Sequence, residues 1–220
     1  MKKRGEEAYN INVKLINKMK NKIFKKFALI SVFDKKNIID FAKKLKSSGY
    51  EIIATEGTGK VLAKNEISFI PVQKISKNPN KLKDCIKTIS FRIPAGILFN
   101  RFDSTQLKEI KELNITPIDI VIYNFPSLKE VIKTPEDFNI KNMDVGGPLM
   151  VRAAATNFKN VLVVVDPNDY GKVAKTILKQ KITNEFRLQL AIKAFTYTYS
   201  YDYEIVQYLK RNETFFKYIV

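Results

Sequence analysis

From Phe27 onward, short apolar runs alternate with longer stretches in which apolar residues recur every three or four positions, the pattern of strands laid between helices. Phe27 to Val32 reads as a buried strand. Lys35 to Ser48 reads as a helix with Ile38, Ile39, Phe41, Ala42 and Leu45 inward, and Gly49 turns the chain into a second strand, Tyr50 to Ala54. A helix is expected from Thr58 to Lys64, a short strand over Phe69 to Val72, another over Ala95 to Phe99, and a helix over Ser104 to Leu113. Ile118 to Tyr123 and Val161 to Val165 are the clearest central strands, β-branched runs bounded by turn residues. Leu149 to Asn157, Asp169 to Lys179 and Glu185 to Leu209 complete the pattern as helices, the last a C-terminal extension. The expected class is α/β.

Residues 1–26 stand apart from this alternation. Up to Phe27 there are nine basic side chains against Glu6 and Glu7, while Ile11, Leu15, Ile16, Met19 and Ile23 fall at roughly helical spacing. Two readings stay open: a basic amphipathic arm that docks on a surface, or an extension ahead of a true start at Met19. Residues 27–220 are expected to form one domain, since 220 residues suffice for one sizeable core.

Composition narrows the chemistry. The chain has no histidine, which removes Ser-His and Cys-His dyads and imidazole metal ligands; catalysis must use Lys, Asp, Glu, Tyr, hydroxyls or backbone. Cys85 is a lone cysteine, so neither an internal disulfide nor a cysteine-cluster metal site is available. The formal charge of +17 suits an anionic substrate, but the lysines are scattered without interleaved aromatics, so no nucleic-acid partner is expected. The longest aliphatic run, Val161 to Val165, is far too short to span a membrane, and a cytoplasmic protein is expected.

In open α/β sheets, ligands bind beyond the carboxyl ends of the strands, so the loops that follow strands are searched first. The first strand exits into Ser31-Val-Phe-Asp-Lys35 and the second into Ala54-Thr-Glu-Gly-Thr-Gly-Lys60. Hydroxyls, glycines and backbone N–H groups at a helix N-terminus make a phosphate cradle, with Lys35 as counter-charge. Further on, Asp144-Val-Gly-Gly-Pro148 opens a helix: the glycine pair admits close approach to the backbone, Pro148 fits a first helical turn, and Arg152 follows. Asp166-Pro-Asn-Asp169 reads as a turn and cap and not as a metal site. Tyr197, Tyr199, Tyr201 and Tyr203 lie two apart and cannot share one helix face.

Ala28-Leu-Ile-Ser-Val32, the Ala54 to Gly59 loop, Lys87-Thr88, Pro94-Ala-Gly-Ile-Leu98, Pro117 to Asn124, Asp144-Val-Gly-Gly147 and Ala194-Phe-Thr-Tyr-Thr198 follow one another in an order and spacing that resemble the IMP cyclohydrolase domain. That domain is the N-terminal half of the bifunctional purine-biosynthesis protein that also carries the aminoimidazole carboxamide ribonucleotide (AICAR) formyltransferase. The resemblance runs from about Phe27 to Leu209, with no formyltransferase half after it. It implies a methylglyoxal-synthase-like fold: three layers, a mainly parallel sheet and flanking helices. It also implies closure of the second purine ring, in which the carboxamide nitrogen of formyl-AICAR attacks the formyl carbon and water leaves to give IMP, with no metal or other cofactor. By the same resemblance Ser31, Lys35, Thr55, Gly57 and Thr58 hold the ribose phosphate, Lys87 and Thr88 lie beside the reacting end, Asn124 polarises the formyl oxygen, Asp144 accepts a proton, and Gly146 and Gly147 line the substrate. A homodimer and a separate formyltransferase are the partners it suggests.

The chain departs from that pattern at several points. Thr156 stands where the family has lysine, Cys85 where it has arginine, Lys87-Thr-Ile-Ser-Phe-Arg92 replaces the usual Lys-Thr-Leu-His-Pro-Lys run, the tyrosine just after Asn124 is missing, and Tyr197 replaces a histidine. Lys159 and Arg92 are candidates to restore positive charge. The competing class is a purine-precursor-binding module of the same fold, without chemistry. A methylglyoxal synthase is disfavoured by the Asp144-Val-Gly-Gly147 block and the long last helix.

Overall fold

The computed structural model describes residues 25–78, 88–134 and 143–217. Lys87, Cys85 and almost all of the arm assigned to residues 1–26 lie outside them. Among the described residues, five strands form one parallel sheet: β1 Lys26–Val32, β2 Tyr50–Ala54, β3 Ile70–Pro71, β4 Ile120–Asn124 and β5 Leu162–Val164, in the order β3-β2-β1-β4-β5. The helices are α1 Ile38–Ser47, α2 Glu56–Lys64, α3 Val72–Ser76, α4 Arg92–Leu98, α5 Ser104–Glu112, α6 Leu128–Val131, α7 Gly146–Thr156, α8 Tyr170–Leu178, α9 Asn184–Arg211 and α10 Glu213–Lys217. The result is the expected three-layer α/β fold.

The apolar runs become inner strands because both of their faces are covered. Ala28, Leu29, Ile30, Ile120, Val121 and Ile122 are fully buried in adjacent, in-register strands. On α1 the expected inward residues Ile38, Phe41, Ala42 and Leu45 are buried and Ile39 is partly buried against the core, and Phe41 stacks on Tyr170 of α8 at 4.6 Å. Helix α7 buries Met150, Val151, Ala153, Ala154 and Ala155 against β4, β5, α4 and α9, its alanines allowing close approach. Side chains cap two of the helices: Asp103 accepts from the N–H groups of Thr105 and Gln106, and Thr183 from that of Phe186. Gly49, at φ 82°, makes the turn between α1 and β2.

One element differs in kind. Ala95 to Phe99, expected as a strand, lies within α4 and its C-cap. Ile93 and Ile97, four apart, are both fully buried, a helical repeat that starts before the run read as a strand. Gly96 is packed against the carbonyl of Thr116 too closely for any side chain, and its own carbonyl accepts from the N–H of Ile118 at 2.9 Å.

Candidate functional site

With β1 at the centre of the order β3-β2-β1-β4-β5, chain connections run one way from β1 to β2 and the other way across to β4, so the loops leaving β1 and β4 part at their carboxyl ends. Asn124 spans that parting. Its Oδ1 accepts from the N–H groups of Phe33 at 2.7 Å and Asp34 at 2.8 Å, and its Nδ2 donates to the carbonyl of Asp34 at 3.2 Å. Both polar ends of this buried amide therefore hold the β1 exit loop. Lys35 folds back on the same loop, its Nζ donating to the carbonyls of Val32 at 3.2 Å and Phe33 at 3.1 Å.

The loop after β2 completes this side. Thr55 donates from Oγ1 to Ser31 Oγ at 3.0 Å, and the fully buried Thr58 accepts at Oγ1 from the N–H of Val32 at 3.1 Å. No side chain caps the N-terminus of α2, and a Cβ on Gly57 would meet open space. The first N–H groups of α2 thus keep their capacity for an anion.

Thr88 and Asp144 approach from the other direction. Asp144 Oδ1 accepts from the N–H of Gly147 at 2.9 Å, fixing the carboxylate at the start of α7, and the N–H of Asp144 donates to Tyr201 Oη at 2.9 Å. The glycine pair is used by the protein's own side chains: a Cβ on Gly147 would lie 2.6 Å from Asp144 Oδ2 and from Phe125 Cδ1, and one on Gly146 would lie 2.7 Å from Thr88 Oγ1. Pro148 sits in the first turn of α7, where its missing N–H costs nothing.

Two further groups are not evident from the sequence. Tyr123 is buried near the end of β4, with the Ser31 and Thr88 side chains beside its hydroxyl. Burial first, and the Asp144 charge second, push its pKa up to about 12, so the phenol is protonated. Strand alternation puts it on the same side of the sheet as Val121 and opposite Ile122, a signal present in the sequence but hidden in an apolar run. From α9, the hydroxyl of Tyr197 donates to the carbonyl of Phe125 at 2.7 Å and accepts from its N–H at 3.0 Å, while Tyr201 holds Asp144. Tyr199 and Tyr203 point outward, 67% and 54% exposed, so the four tyrosines divide between two faces as their spacing requires.

The structure thus gathers Ser31, Thr55, Thr58, Thr88, Asn124, Asp144, Gly146 and Gly147 around the carboxyl ends of β1, β2 and β4. A cleft of about 740 Å³ opens beside them, between Phe33, Asn124 and Phe125 and the Lys193 to Glu204 face of α9. Lys193 in that wall is bound to Asp166 and Asp169 at 2.6 Å each. The proposed cap at Asp166 is present, its side chain accepting from the N–H of Asn168 at 2.8 Å.

Other basic candidates lie elsewhere. Arg92 donates to the carbonyls of Leu113 and Asn114, at 3.0 Å each, beyond α5. Arg152 is exposed on α7 with its guanidinium 5.8 Å from the Phe195 ring. Thr156 ends α7, so Lys159 lies past the helix and not one turn further along it. Among the described residues, no group of three or more acidic or cysteine side chains could hold a metal ion, and no helix is long and apolar enough to cross a membrane.

A parallel five-stranded sheet with a hydroxyl-and-glycine site at its carboxyl edge defines the class, and comparison with known proteins agrees. The profile of the MGS-like domain matches residues 37–148, and that of the AICARFT/IMPCHase bienzyme matches residues 154–219. The bifunctional purine biosynthesis protein PurH of Caldicellulosiruptor bescii is 44% identical over 200 residues, covering 88% of this chain and 39% of that protein. PurH of Oceanobacillus iheyensis is 44% identical over 173 residues, 77% of this chain and 34% of that protein. The crystal structure of ForH superposes with a TM-score of 0.76 at 33% identity, covering 83% of this chain and 97% of that one. The chain belongs to the IMP cyclohydrolase domain family of the bifunctional purine biosynthesis proteins, within the methylglyoxal-synthase-like superfamily. It spans about two fifths of the length of the curated relatives it matches.

Proposed function

We propose that this chain is an IMP cyclohydrolase of the cytoplasm that closes formyl-AICAR to IMP. The carboxamide nitrogen bonds to the formyl carbon and gives up one proton. The former formyl oxygen then leaves as water, taking that proton and the one from the formamide nitrogen. Both reacting groups belong to one molecule, so the protein's work is to hold a folded-over conformer, stabilise the tetrahedral oxygen and move protons. Ser31, Thr55, Gly57, Thr58 and Lys35 take the ribose phosphate, Lys87 and Thr88 flank the reacting end, and Asp144 takes the amide proton. Asn124 acts by fixing the loop that carries Lys35, because its side-chain amide is already engaged there. The substrate comes from a formyltransferase, the class of enzyme that installs the formyl group.

The observation that carries this reading is the placement of Asp144. Its carboxylate is clamped by the Gly147 N–H at 2.9 Å, against the glycine pair and across from the Ser31, Tyr123 and Thr88 hydroxyls. The test is IMP formation from formyl-AICAR by purified protein, measured against uncatalysed ring closure. Asp144→Asn is expected to lower turnover by about a hundredfold or more, the usual worth of a positioned general base, while IMP still binds. The second reading, a nucleotide-binding module without chemistry, is favoured by the engagement of Lys35 and Asn124 within their own loops. Intact folding and IMP binding with no rate above background would establish it.

A further inference from the structure

Asp144 stands on neither a strand nor a helix; α7 begins two residues after it, at Gly146. The N–H of Gly147 holds its carboxylate at 2.9 Å, but that contact lies within one short turn and does not fix where the turn itself stands. Helix α9 supplies a long-range tie. The N–H of Asp144 donates to Tyr201 Oη at 2.9 Å, 57 positions away along the chain. One turn earlier, Tyr197 grips the chain just past β4, its hydroxyl donating to the carbonyl of Phe125 at 2.7 Å and accepting from its N–H at 3.0 Å. The Phe125 ring packs on both tyrosines, 4.6 Å from the Tyr197 ring and 4.7 Å, edge-on, from that of Tyr201. Asn124, beside Phe125, in turn holds the β1 exit loop through the N–H groups of Phe33 and Asp34. Two side chains of one 28-residue helix therefore set the Asp144 turn and the β4 exit in register, and the β1 exit follows.

We propose that Tyr201, with Tyr197 one turn before it, is a positioning residue for ring closure, fixing through the backbone where the Asp144 carboxylate stands relative to the exit of β4. The inference rests on the cyclohydrolase reading above. A base carried by a loop is placed only as well as the groups that support it, and a misplacement of about 1 Å can cost a hundredfold in rate. Tyr201 suits the task because it is buried, 4% exposed, with its ring packed against Phe125.

Tyr201→Phe keeps the ring and removes the acceptor of the Asp144 N–H. It is expected to lower kcat roughly tenfold to a hundredfold while KM and IMP affinity stay within about threefold, since the groups proposed to hold the phosphate come from the β1 and β2 exit loops. In an Asp144→Asn background the same change is expected to alter the residual rate by less than about threefold, because the carboxylate it positions is already gone. Tyr199→Phe, on the outward face of α9, is expected to leave the rate unchanged. If Tyr201→Phe fails to fold, Tyr197→Phe decides by the same split of kcat from KM and the same double variant. Wild-type kcat in the folded variant overturns the inference. So does a rise in KM that accounts for the whole fall in kcat/KM, or an equal loss with and without the Asp144 carboxylate. Wild-type protein that gives no acceleration removes the cyclohydrolase reading and this inference with it. An active wild type with an equally active Tyr201→Phe removes the inference only.

Discussion

Opposite ends of one sheet each bury a tyrosine near an aspartate. Tyr50 opens β2 near Asp119, and Tyr123 lies near the end of β4 near Asp144; both phenols are pushed up to about 12, by burial first and by the acidic charge second. At the amino edge, everything around Asp119 answers it. Its Oδ2 accepts from the N–H of Phe27 at 2.9 Å, Arg101 Nε lies 3.8 Å from its Oδ1, and the Arg187 charge is close enough to act on both it and Tyr50. Arg101 is itself buried, spending a second group on the carbonyl of Ile118 at 2.5 Å. At the carboxyl edge the neighbours of Tyr123 are hydroxyls and bare glycines, and a cleft opens alongside. Burial and a shifted pKa are common to both ends. What distinguishes the carboxyl edge is space for a ligand beside its hydroxyls, where the amino edge sets Arg101 against the carboxylate.

Breaking the amino edge is expected to have the largest effect on stability. Asp119→Ala leaves Arg101 buried without its ion-pair partner, which costs about 3 kcal/mol or more of unfolding free energy in denaturant titration. IMP affinity of the folded protein is expected to be unchanged, since the residue lies at the far end of β4 from the loops proposed to bind it. A matching fall in affinity would show that the two ends are coupled. At the carboxyl edge, Gly147→Ala forces a Cβ to within 2.6 Å of Asp144 Oδ2 and Phe125 Cδ1. It is expected to cost about 1 to 3 kcal/mol as overpacking, and to reduce turnover by more than that stability loss explains, because the carboxylate must move.

The paired tyrosines make both edges sensitive to alkali. A phenol whose folded pKa lies near 12 and whose unfolded pKa is near 10 binds its proton more tightly in the native state. Its contribution is complete below the unfolded value and is lost as pH rises through the folded one. Melting temperature is therefore expected to fall above about pH 10, and Tyr50→Phe or Tyr123→Phe to flatten that fall. A flat profile in wild-type protein would contradict the burial of both phenols. A smaller effect is expected from Lys35→Ala. Its ammonium already serves two carbonyls at the β1 exit, and its loss is expected to weaken IMP binding by about 1 kcal/mol, the lower end for a charge-assisted contact, less so at high salt.

The strands were legible because parallel inner strands must be apolar on both faces, which leaves runs such as Ile118 to Tyr123 standing out. The strand-to-helix loop proposed to take the phosphate was legible as a turn because Thr55, Gly57 and Thr58 follow a strand directly and open a helix. Ala95 to Phe99 was misread since a five-residue apolar run has no period of its own; only Ile93 and Ile97, taken together, reveal the helix. Tyr123 was hidden for the opposite reason, as a polar tip inside a run assigned wholly to the core. The partners of Arg92 and Arg152 are set by how α5 and α9 pack, which spacing along the chain does not contain.

The smallest expected effect belongs to the family position that sequence alone made most conspicuous. By the family resemblance Thr156 stands where a lysine is expected, and a lysine near the tetrahedral oxygen would be worth several kcal/mol. The structure puts Thr156 at the last residue of α7, exposed, while the glycine pair and Asp144 stand at the first turn. Ten residues of helix at about 1.5 Å each separate Gly146 from Thr156 by roughly 15 Å, beyond a Debye length of about 8 Å at physiological salt. Thr156→Lys is therefore expected to change kcat by less than about threefold and stability by less than about 0.5 kcal/mol, the usual range for an exposed substitution. Steady-state rates at low and high salt provide the check. A tenfold or greater rise would mean that the end of α7 meets the substrate after all, and would require the site to be completed by residues beyond those gathered at the carboxyl edge of one chain.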